Sequence, residues 1–154
     1  MGKRNFKIQA IEADIEAWNA FVDVSDEAWI WHRCEFINAM ATWVGRSNIS
    51  FSVLDEKAGG DMVAVVSLHL VEGRVSGIFP WKVLDSVGGV ACVNGLGRKE
   101  KLCIIEFVYG HLMKLAAKYN AVRPSLVFKL TSAPLSKRSS TISFDCRYVI
   151  GVIS

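Results

Sequence analysis

Gly95-Leu96-Gly97-Arg98, with Lys99 and Lys101 close behind, is the segment of this chain whose residue types could do chemistry. Glycines let backbone N–H groups approach an anion, a following helix N-terminus adds partial positive charge, and Arg98, Lys99 and Lys101 add formal charge. Such a loop could bind an anionic group through Gly95, Gly97 and Arg98, or serve as a plain strand-to-helix turn. It carries neither a Walker lysine after GxxxxG nor a GxGxxG fingerprint. Other candidates are sparser. Ser76 precedes Gly77 without the glycine two residues earlier that a nucleophile elbow needs. Cys92, near a helix start, reads either as a thiol of lowered pKa or as a core residue. Glu106 and His111 stand five apart, a poor spacing for one helix face. No pair of carboxylates stands out for acid–base work, so no general base is assigned. Trp29-Ile30-Trp31 alternates, as an extended segment lining a groove would, although packing explains it equally.

The ligand types for metal are present but scattered. Cys34, Cys92, Cys103 and Cys146, like His32, His69 and His111, lack the close pairs that zinc requires, so no metal is expected. The cysteines do not make a disulfide framework either, and a reducing cytoplasmic setting is the expectation.

These residues need a scaffold. Phe6 to Ala10 reads as a strand, and Asp14 as the cap of a helix with Ile15, Trp18, Phe21 and Val22 on one face. Phe36, Ile37, Met40, Trp43 and Val44 repeat the helical period up to Gly45, a left-handed stop. Ile49, Phe51 and Val53 alternate with Ser50, Ser52 and Leu54, predicting a half-buried strand. Met62 to Val71, almost wholly apolar, predicts one central strand. Glu72-Gly73 predicts a tight reversal into Arg74 to Phe79, ended by Pro80. Val87 to Val93 is a further apolar stretch kinked at Gly88-Gly89. Lys99 to Tyr119 predicts the longest helix, with Leu102, Ile105, Val108 or Tyr109, Leu112 and Ala116 inward and Asn120 closing it. Leu126 to Leu130 and Ile142 to Ile153 predict two last strands around a Ser-rich basic loop.

The bulk properties agree with one ordered domain over residues 1–154. Apolar residues make up 51% of the chain and charged ones 21%, which excludes a disordered polymer. No apolar run nears the ~20 residues of a membrane helix, so no membrane partner is expected. Charge is uneven: residues 1–97 hold 8 basic and 12 acidic side chains, a balance of −4, whereas residues 98–154 hold 10 and 3, a balance of +7. An anionic ligand or acidic partner would suit the basic part, as would an ordinary solvated face. Nucleic acid is disfavoured, because no dense basic stripe or binding module is visible.

With these elements in order, the chain resembles the first lobe of the FemAB-like acyltransferases, within the wider GNAT (N-acetyltransferase) superfamily. The likeness is carried by Trp18-x-x-Phe21-Val22, Trp31-His32-Arg33-x-x-Phe36, the central hairpin from Val53 to Phe79, Gly88-Gly89, the helix from Lys99 to Tyr119, and Tyr148-Val149-Ile150. The resemblance implies an α/β (α+β) fold: a mixed, mostly antiparallel twisted sheet flanked by helices. It also implies a two-lobed architecture in which the second lobe binds most of the acyl donor. This chain would then be a first lobe, not catalytically competent alone, whether a natural half, a truncated reading frame or an excised domain. An acyl-CoA or another anionic acyl donor is the implied cofactor, and a missing second lobe or a homodimer the implied partner. The GNAT loop Arg/Gln-x-x-Gly-x-Gly/Ala aligns on Cys92-x-x-Gly95-x-Gly97, with Cys92 departing at the leading position. A rival reading is a non-enzymatic interaction module that pairs through an exposed strand edge.

Overall fold

The computed structural model describes residues 5–121. The strands expected at Leu126–Leu130 and Ile142–Ile153, with Cys146 and Tyr148–Ile150, lie outside the described residues. The elements run β1 (Phe6–Ala10), α1 (Ile15–Val24), α2 (Cys34–Ala41), β2 (Arg46–Asn48), β3 (Phe51–Asp55), β4 (Asp61–Val66), β5 (His69–Val75), β6 (Phe79–Asp85), β7 (Val90–Cys92) and α3 (Arg98–Tyr119).

Every strand pairing among the described residues is antiparallel. One sheet has the order β1-β3-β4-β7 and the other β2-β5-β6. Side-chain alternation divides the larger sheet between two cores. Val53, Ala64, Val66 and Cys92 meet Ile104, Val108, Leu112 and Ala116 of α3 on one face. Val65 and Ala91 meet Trp18, Phe21 and Val22 of α1 and Ile37 of α2 on the other. The result is a mixed α+β arrangement of two antiparallel sheets, the larger with helices on both faces.

Local chemistry explains most boundaries. The Asp14 side chain accepts the Ala17 N–H at 2.9 Å and starts α1, as its cap position predicts. Gly45 takes φ +77° beyond α2, yet the helix ends at Ala41, and Trp43 and Val44 are exposed instead of continuing its apolar face. β3 is buried on both sides: Ser50 and Ser52 are as enclosed as Phe51 and Val53, because β1 and β4 flank it and a helix layer covers each face.

The single strand expected from Met62 to Val71 is instead two. The chain leaves the larger sheet after Val66 and enters the smaller one at His69. Serines make the crossing possible by replacing ladder bonds at the break. The Ser50 hydroxyl accepts the Leu68 N–H at 2.9 Å, and the Ser86 hydroxyl donates to the Ser67 carbonyl at 2.7 Å. The reversal expected at Glu72-Gly73 also moves. Gly73 stays within β5 beneath the Trp81 ring, and the turn falls at Ser76-Gly77, with φ +53° and +72°. Pro80 does not end a strand but lies inside β6, an edge strand where a missing donor is tolerated.

In α3 the buried row is Ile104, Val108, Leu112 and Ala116; Leu102 and Ile105, expected inside, are exposed, and of the alternatives Val108 and Tyr109 it is Val108 that is buried. The row at strict i+4 spacing faces the sheet because Phe107 and His111 are drawn toward Phe6 of β1 and Phe51 of β3. Asn120, at φ +49°, closes the helix as expected.

Candidate functional site

The glycine segment leaves β7 and turns directly into α3, at the outer end of the larger sheet. Gly95 has φ +80° and nothing within 4 Å of where a Cβ would stand, so backbone can approach a ligand closely there. Gly97 differs. Its φ is −69°, and its N–H donates to Glu100 Oε2 at 2.8 Å, a carboxylate cap on the helix N-terminus. Arg98 opens α3 and is exposed, as is Lys99. Helix geometry leaves their N–H groups without intrahelical acceptors. Lys101 turns away, pairing with Glu27, which raises its pKa.

A latch between the turn after α1 and the β7–α3 connection shapes this end of the molecule. The Asn94 side chain accepts the Asp26 N–H at 2.9 Å and donates to the Val24 carbonyl at 2.7 Å. Ser25 Oγ donates to the Cys92 carbonyl at 2.7 Å, while the Cys92 N–H donates to Glu27 Oε2 at 3.0 Å. Both outward backbone groups of Cys92 are therefore taken by side chains, and β7 cannot accept another strand at that residue. The Cys92 thiol faces the core. Burial first and the Glu27 charge second push its pKa up to about 12, opposite to an activated nucleophile.

Beside the latch lies a shallow, open depression of about 780 Å³ lined by Val22, Asp23, Trp29, Ile30, Arg33 and Phe36, among others. Trp29-Ile30-Trp31 does not form an extended segment. Ile30–His32 makes one 3₁₀ turn, which turns Trp29 and Ile30 into the depression and sets Trp31 edge-on against Phe36 at 4.7 Å. Arg33 pairs with Asp23 and with Glu35, and these carboxylates raise its pKa. Fully buried His32 pins the turn. Its Nδ1 accepts the Trp29 N–H at 3.1 Å, which leaves Nε2 to donate to the Gly89 carbonyl at 3.3 Å. Burial holds its pKa below the ordinary value, so the ring is a neutral strut. Gly88 is required at this contact: at φ +105°, a Cβ would stand 2.8 Å from His32 Cε1.

The remaining candidates are spread apart. Ser76 sits at the β5–β6 hairpin tip. His111 packs against Phe51, with its pKa lowered mainly by burial, and Glu106 is exposed. His69 Nε2 donates to the Ile37 carbonyl at 3.0 Å and ties β5 to α2. Among the described residues no three His, Cys, Asp or Glu side chains are grouped to hold a metal ion, and no helix is long and apolar enough to cross a membrane.

No protein-family model matches the chain, and no curated protein and no solved structure is significantly similar to it. The geometry alone must then carry a functional reading. It joins Gly95 and Arg98 to the Trp29 depression through the latch of Ser25, Glu27 and Asn94, none of which the sequence marks as a site residue.

Proposed function

We propose that this chain is a GNAT-like lobe of a FemAB-type acyl or aminoacyl transferase that needs a second lobe for catalysis. One observation carries the reading: an antiparallel sheet ends in a strand, β7, whose glycine turn leads straight into the helix packed on that sheet. The insertion of α1 and α2 between the first two strands of the sheet is consistent with the same architecture.

An acyl-CoA supplies an activated thioester and carries phosphates. Gly95 and the N–H groups and side chains of Arg98 and Lys99 form the anion-facing part of this loop. The Gly97 N–H is already held by Glu100, so it joins them only when that carboxylate swings away. The residues fit an anionic donor on those terms. Glu100 then acts as a built-in competitor, its negative charge filling the position at the helix N-terminus that an anion would take. Cys92 contributes no polar side chain to the loop, in keeping with its departure from the Arg/Gln of the GNAT motif.

Calorimetric titration with acetyl-CoA tests the reading. Binding is expected to weaken in Arg98→Ala and tighten in Glu100→Gln. No heat at millimolar ligand in wild type or Glu100→Gln would remove the cofactor from the account.

The rival reading, an interaction module, is favoured by the β5–β6 tip, where Ile78 and Phe79 are 72% and 67% exposed. Pairing by strand addition is blocked at Cys92 and interrupted at Pro80 of β6, which leaves β1 and the three-residue β2 as the edges for that mode among the described residues. A strict monomer by light scattering at high concentration would count against self-pairing.

A further inference from the structure

Helix α3 turns a second apolar row outward. Leu102, Ile105, Tyr109 and Met113 are 38%, 45%, 53% and 40% exposed, although they follow one another at helical spacing over three turns. Phe107 and His111 lean toward Phe6 of β1 and Phe51 of β3, so the row lies on the flank away from β1. Beside it, at successive i+4 positions, run Glu106, Gly110 and Lys114, all exposed. Neither Glu106 nor Lys114 has an ion-pair partner among the described residues, because no residue three or four away on the helix carries the opposite charge. Gly110 has no positive φ and nothing within 4 Å of where a Cβ would stand. Nothing among the described residues therefore calls for glycine there, the poorest helix former after proline.

We infer that this surface binds a second copy of the chain, the two α3 helices packing antiparallel about a two-fold axis beside Tyr109 and Gly110. Self-complementarity, which a two-fold contact demands of a single patch, selects this occupant. Ile105 and Met113 lie four residues on either side of Tyr109, and Glu106 and Lys114 four residues on either side of Gly110. Running the second helix in the opposite direction sets Ile105 on the partner's Met113 and Glu106 on the partner's Lys114, each contact made twice. The two Tyr109 rings meet at the axis, where the missing side chain of Gly110 lets the backbones approach. A parallel pair would instead bring Glu106 against Glu106 and Lys114 against Lys114, which like charges oppose. A contact of three helical turns falls at the small end of specific interfaces, below about 1,200 Å², so the dimer is a weak, concentration-dependent one.

Sedimentation equilibrium of the full-length chain, from micromolar to millimolar concentration, tests this. Wild type is expected to move from one chain toward two as concentration rises. Glu106→Lys and Lys114→Glu are each expected to self-associate several-fold more weakly, because each sets like charges face to face. Mixed together, the two variants are expected to recover the wild-type affinity, since every lysine then faces a glutamate of the other variant. That rescue is particular to an antiparallel pair in this register. Gly110→Leu, a change that favours the helix itself, is expected to weaken association several-fold by filling the space at the axis. A wild-type chain that stays monomeric throughout would overturn the proposal. So would single variants that associate as well as wild type, a mixture no tighter than its two components, or Gly110→Leu pairing undiminished.

Discussion

Replacing Glu27 by alanine removes the group that joins α3 to the edge of β7. Its carboxylate accepts the Cys92 N–H at 3.0 Å and pairs with Lys101, each of the two side chains being a little over one-third exposed. A hydrogen bond to a charged group contributes about 1.5–3 kcal/mol. A partly exposed ion pair adds only about 0.5 kcal/mol. Because Cys92 is buried, its amide has no ready substitute acceptor, and Glu27→Ala is expected to cost about 2–3 kcal/mol. Glu27→Gln keeps an acceptor and loses only the charge, for a cost of about 1 kcal/mol. In a chain of this size, thermal unfolding should show the alanine variant melting about 5–10 °C lower and the glutamine variant about 2–4 °C lower. Thiol titration adds a check, because the Cys92 pKa should fall when the Glu27 charge goes, yet stay well above the ordinary thiol range, since burial is the larger cause. Equal losses in the two variants, or a loss under about 0.5 kcal/mol in Glu27→Ala, would refute the latch.

Gly45 and Gly95 share a left-handed φ, +77° and +80°, but a Cβ at Gly45 would stand 2.3 Å from the Glu72 carbonyl oxygen, whereas Gly95 has open space. Gly95→Ala should cost about 1–2 kcal/mol from backbone strain alone, and Gly45→Ala clearly more by urea unfolding; a similar cost at both would contradict the contact. For His32, burial lowers the folded pKa below the ordinary ~6.5, so its stabilising contribution is complete above that value. It is lost as pH falls from there toward the folded value, because the unfolded chain then takes up a proton that the native state refuses. An NMR titration should give His32 a midpoint below 6.5, and a midpoint at or above it would contradict the buried strut. Among the described cysteines, Cys103 is exposed and should react with a disulfide reagent at pH 8, while Cys34 and Cys92, both raised by burial, should stay silent until unfolding.

What a single sequence discloses depends on how local the cause is. β1, the Asp14 cap and the Asn120 closure are set by neighbouring residues, and each is legible in the chain. The break of Met62–Val71 into β4 and β5 is not, because Ser50 and Ser86 license it from about 20 residues away on either side. Likewise Leu102, Ile105 and Tyr109 match the helical period as well as Ile104 does; only the pull of Phe6 and Phe51 decides which row turns inward. For the site, Gly95, Gly97 and Arg98 stand out by type. Glu27, which reaches residues 65 and 74 positions away, has no local signature, and neither does the capture of the Gly97 amide by Glu100.

The central claim is that the turn between β7 and α3 receives an anionic acyl donor. Amide chemical-shift mapping of the full chain with acetyl-CoA tests it most directly. The account predicts saturable shifts at Gly95, Gly97, Arg98 and Lys99, enlarged in Glu100→Gln. Shifts confined to other regions, or none at millimolar ligand in either protein, would contradict it.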